Sequence, residues 1–233
     1  GQAGSQIDAM YKWRTSKTFT AEQKKQVQEA IDYLRDHGFE KEAKQLDSML
    51  KRGWLVYRDT KTSELGETYG GLWEGVTGRG YIAVFNQFFN PSPEVGDNGV
   101  PIGDDADKLT RMQAKVLLHE LEHLNQQANR IRLVLPTLVR DQERVAMEKH
   151  IKAMPRLGYT PAEIQQTIDY YEARSAYRRY VPLLEDAKRD AEQTKPPADG
   201  TGSTGGSKKL PPKIGEDRDV TTGGERTPMK DFR

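Results

Sequence analysis

Apolar residues recur every three or four positions along much of this chain, give way near its middle to short continuous runs, and then resume the helical period. Val27, Ala30, Ile31 and Leu34 form the first stripe. Thr20-Ala21-Glu22-Gln23 stands before it as a capping box and Gly38 behind it as a stop, which predicts a helix. Ala43, Leu46, Met49 and Leu50 predict a second helix over residues 40–50, completing a helical hairpin. His37, beside Gly38, suits the negative end of the first helix and takes a structural role. Before the hairpin, residues 1–17 are mixed, with Ile7, Met10, Tyr11 and Trp13 able to dock as a short helix.

Gly53 changes the pattern. Trp54-Leu55-Val56-Tyr57 is short, apolar and rich in strand formers. Gly66, Gly70 and Gly71 mark loops, and residues 72–76 and 81–85 flank Thr77-Gly78-Arg79-Gly80 as a β-hairpin. Residues 86–107, with three glycines and three prolines among them, predict a long loop. Ala114, Leu117, Leu118, Leu121, Leu124 and Ala128 then restore the helical period. Asp104, Asp105 and Asp107 precede Thr110 as its N-cap, and Arg130 and Arg132 follow the end, as a helix dipole prefers. Ile131-Arg132-Leu133-Val134-Leu135 is an apolar segment stopped by Pro136. A helix over 141–154 follows, and Thr160-Pro161-Ala162-Glu163 opens another, lined by Ile164, Ile168, Tyr171, Ala176 and Val181 up to Pro182. The fold class that results is α+β, mostly helical, with a small sheet.

Composition sets the limits. From residue 193 the chain turns to Gly, Pro, Ser and Thr with few apolar side chains, so 1–192 is expected to form one domain and 193–233 a disordered tail. With 36 basic and 35 acidic residues the net charge is +1, and no global field points to nucleic acid or an anionic membrane. Arg174, Arg178 and Arg179 read as a solvated helix face. The absence of cysteine excludes disulfides, cysteine-ligated zinc and thiol catalysis. No apolar run is long enough to span a membrane, and the first residues do not read as a signal peptide. A start at Gly1 and a flexible tail would suit a domain released from a larger secreted or toxin-like polypeptide.

One helix carries the candidate chemistry. His119-Glu120-Leu121-Glu122-His123 is an H-E-x-x-H motif on the helix predicted from the 114–128 stripe. Histidines four apart leave the same helix face and can hold one ion, and neutral imidazoles suit Zn²⁺. Glu120 can reach a water on that ion without ligating it, which is the position of a general base.

These residues resemble the zincin superfamily of zinc metallopeptidases, in which such a helix supplies two zinc ligands and the catalytic glutamate. The resemblance implies a small sheet ahead of the active-site helix, an edge strand that pairs with extended substrate, and a peptide or protein substrate. The order of helices, strands and then H-E-x-x-H fits that plan.

Two histidines leave zinc short of a third protein ligand. Asp141, Glu143 and Glu148 are the acidic candidates. Glu143 lies 20 residues after His123, on a helix able to pack beside the motif helix. Five residues separate Glu143 from Glu148, which turns them about 140° apart on a helix, so one of them faces the metal and the other does not. Ala146, three residues after Glu143, gives that face the small side chain a close neighbour needs. Glu143-Arg144-Val145-Ala146 also resembles the E-x-x-A stretch that supplies the third ligand in the glutamate-ligand zincins, although Met147 stands where the thermolysin-like pattern has an aspartate. Glu122 is a candidate supporting acid, and His150, Tyr159, Tyr170, Tyr171 and Tyr177 are candidates for stabilising an oxyanion. The expected activity is zinc-dependent peptide hydrolysis by Glu120 with a metal held by His119, His123 and Glu143. The alternative is a helical interaction module with a structural metal or none.

Overall fold

The computed structural model describes residues 16–59, 66–69, 80–130 and 139–194. Its elements run in the order α1 (Ala21–Asp36), α2 (Glu40–Arg52), β1 (Leu55–Arg58), β2 (Gly66–Tyr69), β3 (Tyr81–Phe85), α3 (Asn86–Phe89), α4 (Ala106–Arg130), α5 (Val139–Ala153), α6 (Pro161–Glu172), a 3₁₀ turn (Arg178–Tyr180) and α7 (Val181–Gln193). The fold is α+β and mostly helical.

Local chemistry accounts for the helix ends. Thr20 accepts from Gln23 N while the Gln23 side chain accepts from Thr20 N, and Thr160 with Glu163 repeats this capping box at α6. Gly38, at φ 89°, and Gly53, at φ 74°, end α1 and α2 in the left-handed region that glycine enters without strain. His37 bonds the Tyr33 carbonyl through Nδ1 at 2.7 Å and stacks on the Tyr33 ring, which is the structural role its position implied.

The sheet has the order β1-β3-β2, with β3 parallel to β1 and antiparallel to β2. Leu55 pairs with Ile82 on one side of β3, and Thr68 pairs with it on the other. All five residues of β3 are buried, as expected of a central strand covered on both faces. Gly66 therefore opens a strand rather than marking a loop, because Val84 opposite it offers a ladder position that needs no side chain. The antiparallel partner of β3 is β2; residues 72–76, expected to fill that place, lie outside the described residues. The first 15 residues, the 131–135 segment and residues 195–233 also lie outside them, whereas Gln193, assigned to the tail, ends α7.

The stretch before α4 is more ordered than its glycines and prolines suggest. It contains the single turn α3 and a two-residue turn at Asn98-Gly99, closed by paired backbone bonds between Asp97 and Val100. Both turn residues have positive φ, 49° and 89°, as the Asn-Gly pair permits. The N-cap of α4 is Asp105, whose Oδ1 accepts from Asp107 N and Lys108 N. Thr110 is already inside the helix and bonds the Ala106 carbonyl, so the expected cap was one turn too late. The helix expected to continue from Pro161 to Val181 stops at Glu172, and Ala176 is exposed. Pro182 lies in the first turn of α7, where its missing N–H costs nothing.

Helix α4 is the axis of the molecule. Arg111 through Leu118 are all buried, a run longer than two turns, so no side of that segment faces water. Helices α1 and α5 pack along it, and Ala114, Leu117, Leu118 and Leu121 join one core with Val27, Ile31, Ile82 and Ile151. The two buried cations on it are paired. Lys115 Nζ lies 2.6 Å from Asp97 Oδ1, Tyr159 donates to Asp97 Oδ2 at 2.6 Å, and Arg111 pairs with Glu163 while its guanidinium covers the Tyr159 ring.

Burial pushes the Glu163 carboxyl up, but the bonds from Arg111 and from Thr160 N outweigh it and hold the pKa below its ordinary 4.5. A depressed carboxyl contributes stability that is present above the unfolded value and lost as pH falls through the folded one. Glu163→Gln should therefore cost about 1.5–3 kcal/mol at pH 7. Denaturant titrations of both proteins should converge as pH is lowered below 4.5. A gap that persists unchanged at low pH would show that charge is not the cause.

Candidate metal centre

The polar stripe of α4 runs Arg111, Lys115, His119, His123, each four residues from the last. Such a row drifts only about 40° per step, so it stays on one side of the helix. The apolar face is buried by the core, as expected. The polar face is covered as well, by α5 and by the segment carrying Asp97. The histidines therefore do not look out on solvent, and their side chains are only 16 % and 17 % exposed.

Helix α5 brings Glu143 to them. His123 Nε2 lies 3.0 Å from Glu143 Oε2, His119 Nε2 lies 3.4 Å from Glu143 Oε1, and the two Nε2 atoms are 3.1 Å apart. These three donors form the one group among the described residues whose ligand atoms converge closely enough to hold a metal ion, all within 4.8 Å of one another. Glu148 is elsewhere. It pairs with Lys152 one turn on, at 2.6 Å. Glu143 and Glu148 thus face different directions, as five residues of helix require. Asp141 falls where side chains are not described.

The electrostatics follow from this geometry. Hydrogen bonds from His119 and His123 hold the Glu143 carboxyl well below the usual carboxylate range, against a desolvation that works the other way. Burial disfavours charge on His123, yet its bond to Glu143 and the nearby charges of Glu120, Glu143 and Glu122 outweigh that and raise it. Glu120 is 7 % exposed and its carboxylate acts on His123. Glu122 acts there too, at a distance, and is half-buried.

His150 also belongs to this cluster. Its Nδ1 lies 2.9 Å from His119 Nδ1, on the opposite edge of the ring from the one facing Glu143. Burial drives its pKa well down, with His119 and Lys115 adding to the effect. The tyrosines considered for an oxyanion role divide. Tyr159 is committed to Asp97, Tyr171 is buried, Tyr170 lies under the Arg174 guanidinium, and Tyr177 is exposed. Sequence reasoning passed over Tyr180, which ends the 3₁₀ turn beside α5. Tyr180 is 2 % exposed, its hydroxyl has the Arg179 side chain within reach but makes no well-formed hydrogen bond among the described residues, and the charge of Glu143 reaches it. No spacing rule would have found it, because only the packing of the turn places it here.

No protein-family model matches this chain, and neither a curated protein nor a solved structure does. Among the described residues no helix is long and apolar enough to cross a membrane.

A buried hydroxyl that is incompletely hydrogen-bonded costs up to about 1–3 kcal/mol. Tyr180→Phe should therefore leave the metal-free protein at least as stable as the wild type, with a gain of about 1 kcal/mol appearing as a rise of about 2–4 °C in thermal midpoint for a chain of this size. A fall of that size would reveal a hydrogen bond that the hydroxyl makes in solution.

Proposed function

We propose that this chain is a zinc-dependent metallopeptidase of zincin type, with His119, His123 and Glu143 as protein ligands and Glu120 as general base. The observation that carries the reading is the convergence of two imidazole nitrogens and one carboxylate at separations of 3.0, 3.1 and 3.4 Å. Ligands held about 2.0–2.1 Å from a tetrahedral ion stand roughly 3.3–3.4 Å apart, so these atoms are close to edges of such a tetrahedron. Two histidines and a glutamate are also a catalytic rather than a closed set, since structural zinc sites take four protein ligands. Among the described residues no fourth His, Cys, Asp or Glu joins the three. That weighs against the alternative of an interaction module with a structural metal.

Bound here, zinc would supply Lewis acidity and a water whose pKa lies near 7. The chain's own residues supply the rest. Glu120, buried beside His123, takes a proton from the attacking water and delivers it to the departing amine. Burial of the cluster keeps the imidazoles and carboxylates in a medium where such charges act strongly. Among the described residues strand β2 is an edge of the sheet, and it lies against α4, where its backbone offers an extended peptide a partner.

Zinc titration of the metal-free protein against a chelator tests the ligand set. Glu143→Ala should lose affinity by orders of magnitude, and Glu148→Ala should match the wild type because its partner is Lys152. The reverse result would mean that α5 is rotated from this arrangement in solution. Glu120→Gln should keep one equivalent of zinc and lose peptide hydrolysis, because an amide preserves the shape and accepts no proton. Undiminished turnover with zinc in place would assign the base elsewhere.

A further inference from the structure

We propose that His150 is a positioning residue for this centre: its Nδ1 accepts a hydrogen bond from Nδ1–H of His119 and thereby locks His119 in the tautomer whose Nε2 lone pair is free for a metal. The inference rests on the metal-centre reading above.

The two edges of the His119 ring face different chemistry. Nε2 looks toward His123 Nε2 at 3.1 Å and Glu143 Oε1 at 3.4 Å, whereas Nδ1 looks toward His150 Nδ1 at 2.9 Å. A nitrogen–nitrogen contact of 2.9 Å is a hydrogen bond, and one proton must sit between the two atoms. If His119 carries its proton on Nε2, that nitrogen cannot ligate. If it carries the proton on Nδ1, then His150 Nδ1 must be bare and the His150 proton must lie on Nε2. Metal binding at His119 Nε2 permits only the second arrangement.

Helix α5 builds the clamp from one face. Glu143 and His150 are seven residues apart, about 700° of rotation, so they return to nearly the same side two turns and about 10.5 Å along the axis. Ala146 and Met147, both buried, fill the turns between. His119 is thus approached from both edges by one helix, while among the described residues His123 meets only Glu143 of that helix. His150 is itself 6 % exposed and packs at a ring-centroid distance of 5.0 Å from His119, so its orientation is fixed by the core rather than by solvent. Ligating histidines generally give their second N–H to a carboxylate, a carbonyl or a water, and loss of that partner costs about 10–100-fold in affinity. Here the acceptor is a buried imidazole, which orients the ring without adding negative charge beneath it.

The test compares wild type, His150→Asn and His150→Leu. Each is checked by circular dichroism and thermal unfolding, then made metal-free and titrated with zinc against a chelator. Asparagine can place its amide oxygen near the position of the imidazole Nδ1, and leucine cannot accept. His150→Leu should bind zinc about 10–100-fold more weakly, and His150→Asn should recover most of that loss. In zinc-loaded wild type, nitrogen NMR should show His119 protonated at Nδ1 with a scalar coupling to His150 Nδ1. Folded His150→Leu that binds as tightly as wild type overturns the proposal, as does equal loss in both folded variants or a proton found on His150 Nδ1. If neither variant folds, the coupling in the wild type decides. Wild type that takes up no zinc overturns the metal-centre reading and this inference with it, whereas zinc-binding wild type with unaffected variants removes only the role of His150.

Discussion

Helix α4 is buried on every side from Arg111 to Leu118, so a charged group there must find a partner, and the helix carries four basic side chains at one spacing. Arg111, Lys115, His119 and His123 follow one another at intervals of four along a segment whose other faces are filled by leucine, methionine and alanine. An unpaired ammonium or guanidinium there would cost several kcal/mol. Each is answered from a different place: Arg111 by Glu163 in the cap of α6, Lys115 by Asp97 at the Asn98-Gly99 turn, and the histidines by Glu143 and His150 of α5. Satisfying the stripe fixes where those elements lie.

The value of such pairs is in placement rather than in net stability. Buried ion pairs roughly recover their own desolvation and seldom add more, so the core of leucines and isoleucines around α4 carries the stabilisation. A one-residue slip of α5 would turn Glu143 about 100° away from the histidines and bring Gln142 or Arg144 toward them. A slip of the Asn98-Gly99 turn would strand Lys115. The charges therefore act against wrong registers, while apolar packing acts for compactness. The candidate metal centre inherits its precision from that division.

Sequence reading reached what local chemistry decides. The Thr20 and Thr160 capping boxes, the stops at Gly38 and Gly53, the strand read at 54–57 and found at 55–58, and the different directions of Glu143 and Glu148 all depend on residues within one or two turns of each other. It failed where a choice depended on distant partners. Gly66 forms a strand because β3 offers it a ladder, and Asp105 outcompetes Thr110 as cap because the preceding turn delivers it to the first free N–H groups. Pro182 reads equally well as a stop or a start, and the 3₁₀ turn at Arg178–Tyr180 makes it a start. Residues Asp97 and Lys115 are 18 apart and share no motif, so their pairing could be seen only after folding.

The same geometry makes the two histidines unequal, although an H-E-x-x-H motif treats them alike. His119 is gripped at both nitrogens by side chains of α5, and behind it lies the buried Lys115–Asp97 pair. His123, one turn toward the C-terminus of α4, shares only Glu143. Glu143 is 45 % exposed, against 16 % and 17 % for the histidines, so the cluster meets solvent on the Glu143 side. An ion bound here would therefore rest on a fixed imidazole and face solvent beside the more exposed carboxylate. The cluster is thus closed around His119 and open beside Glu143.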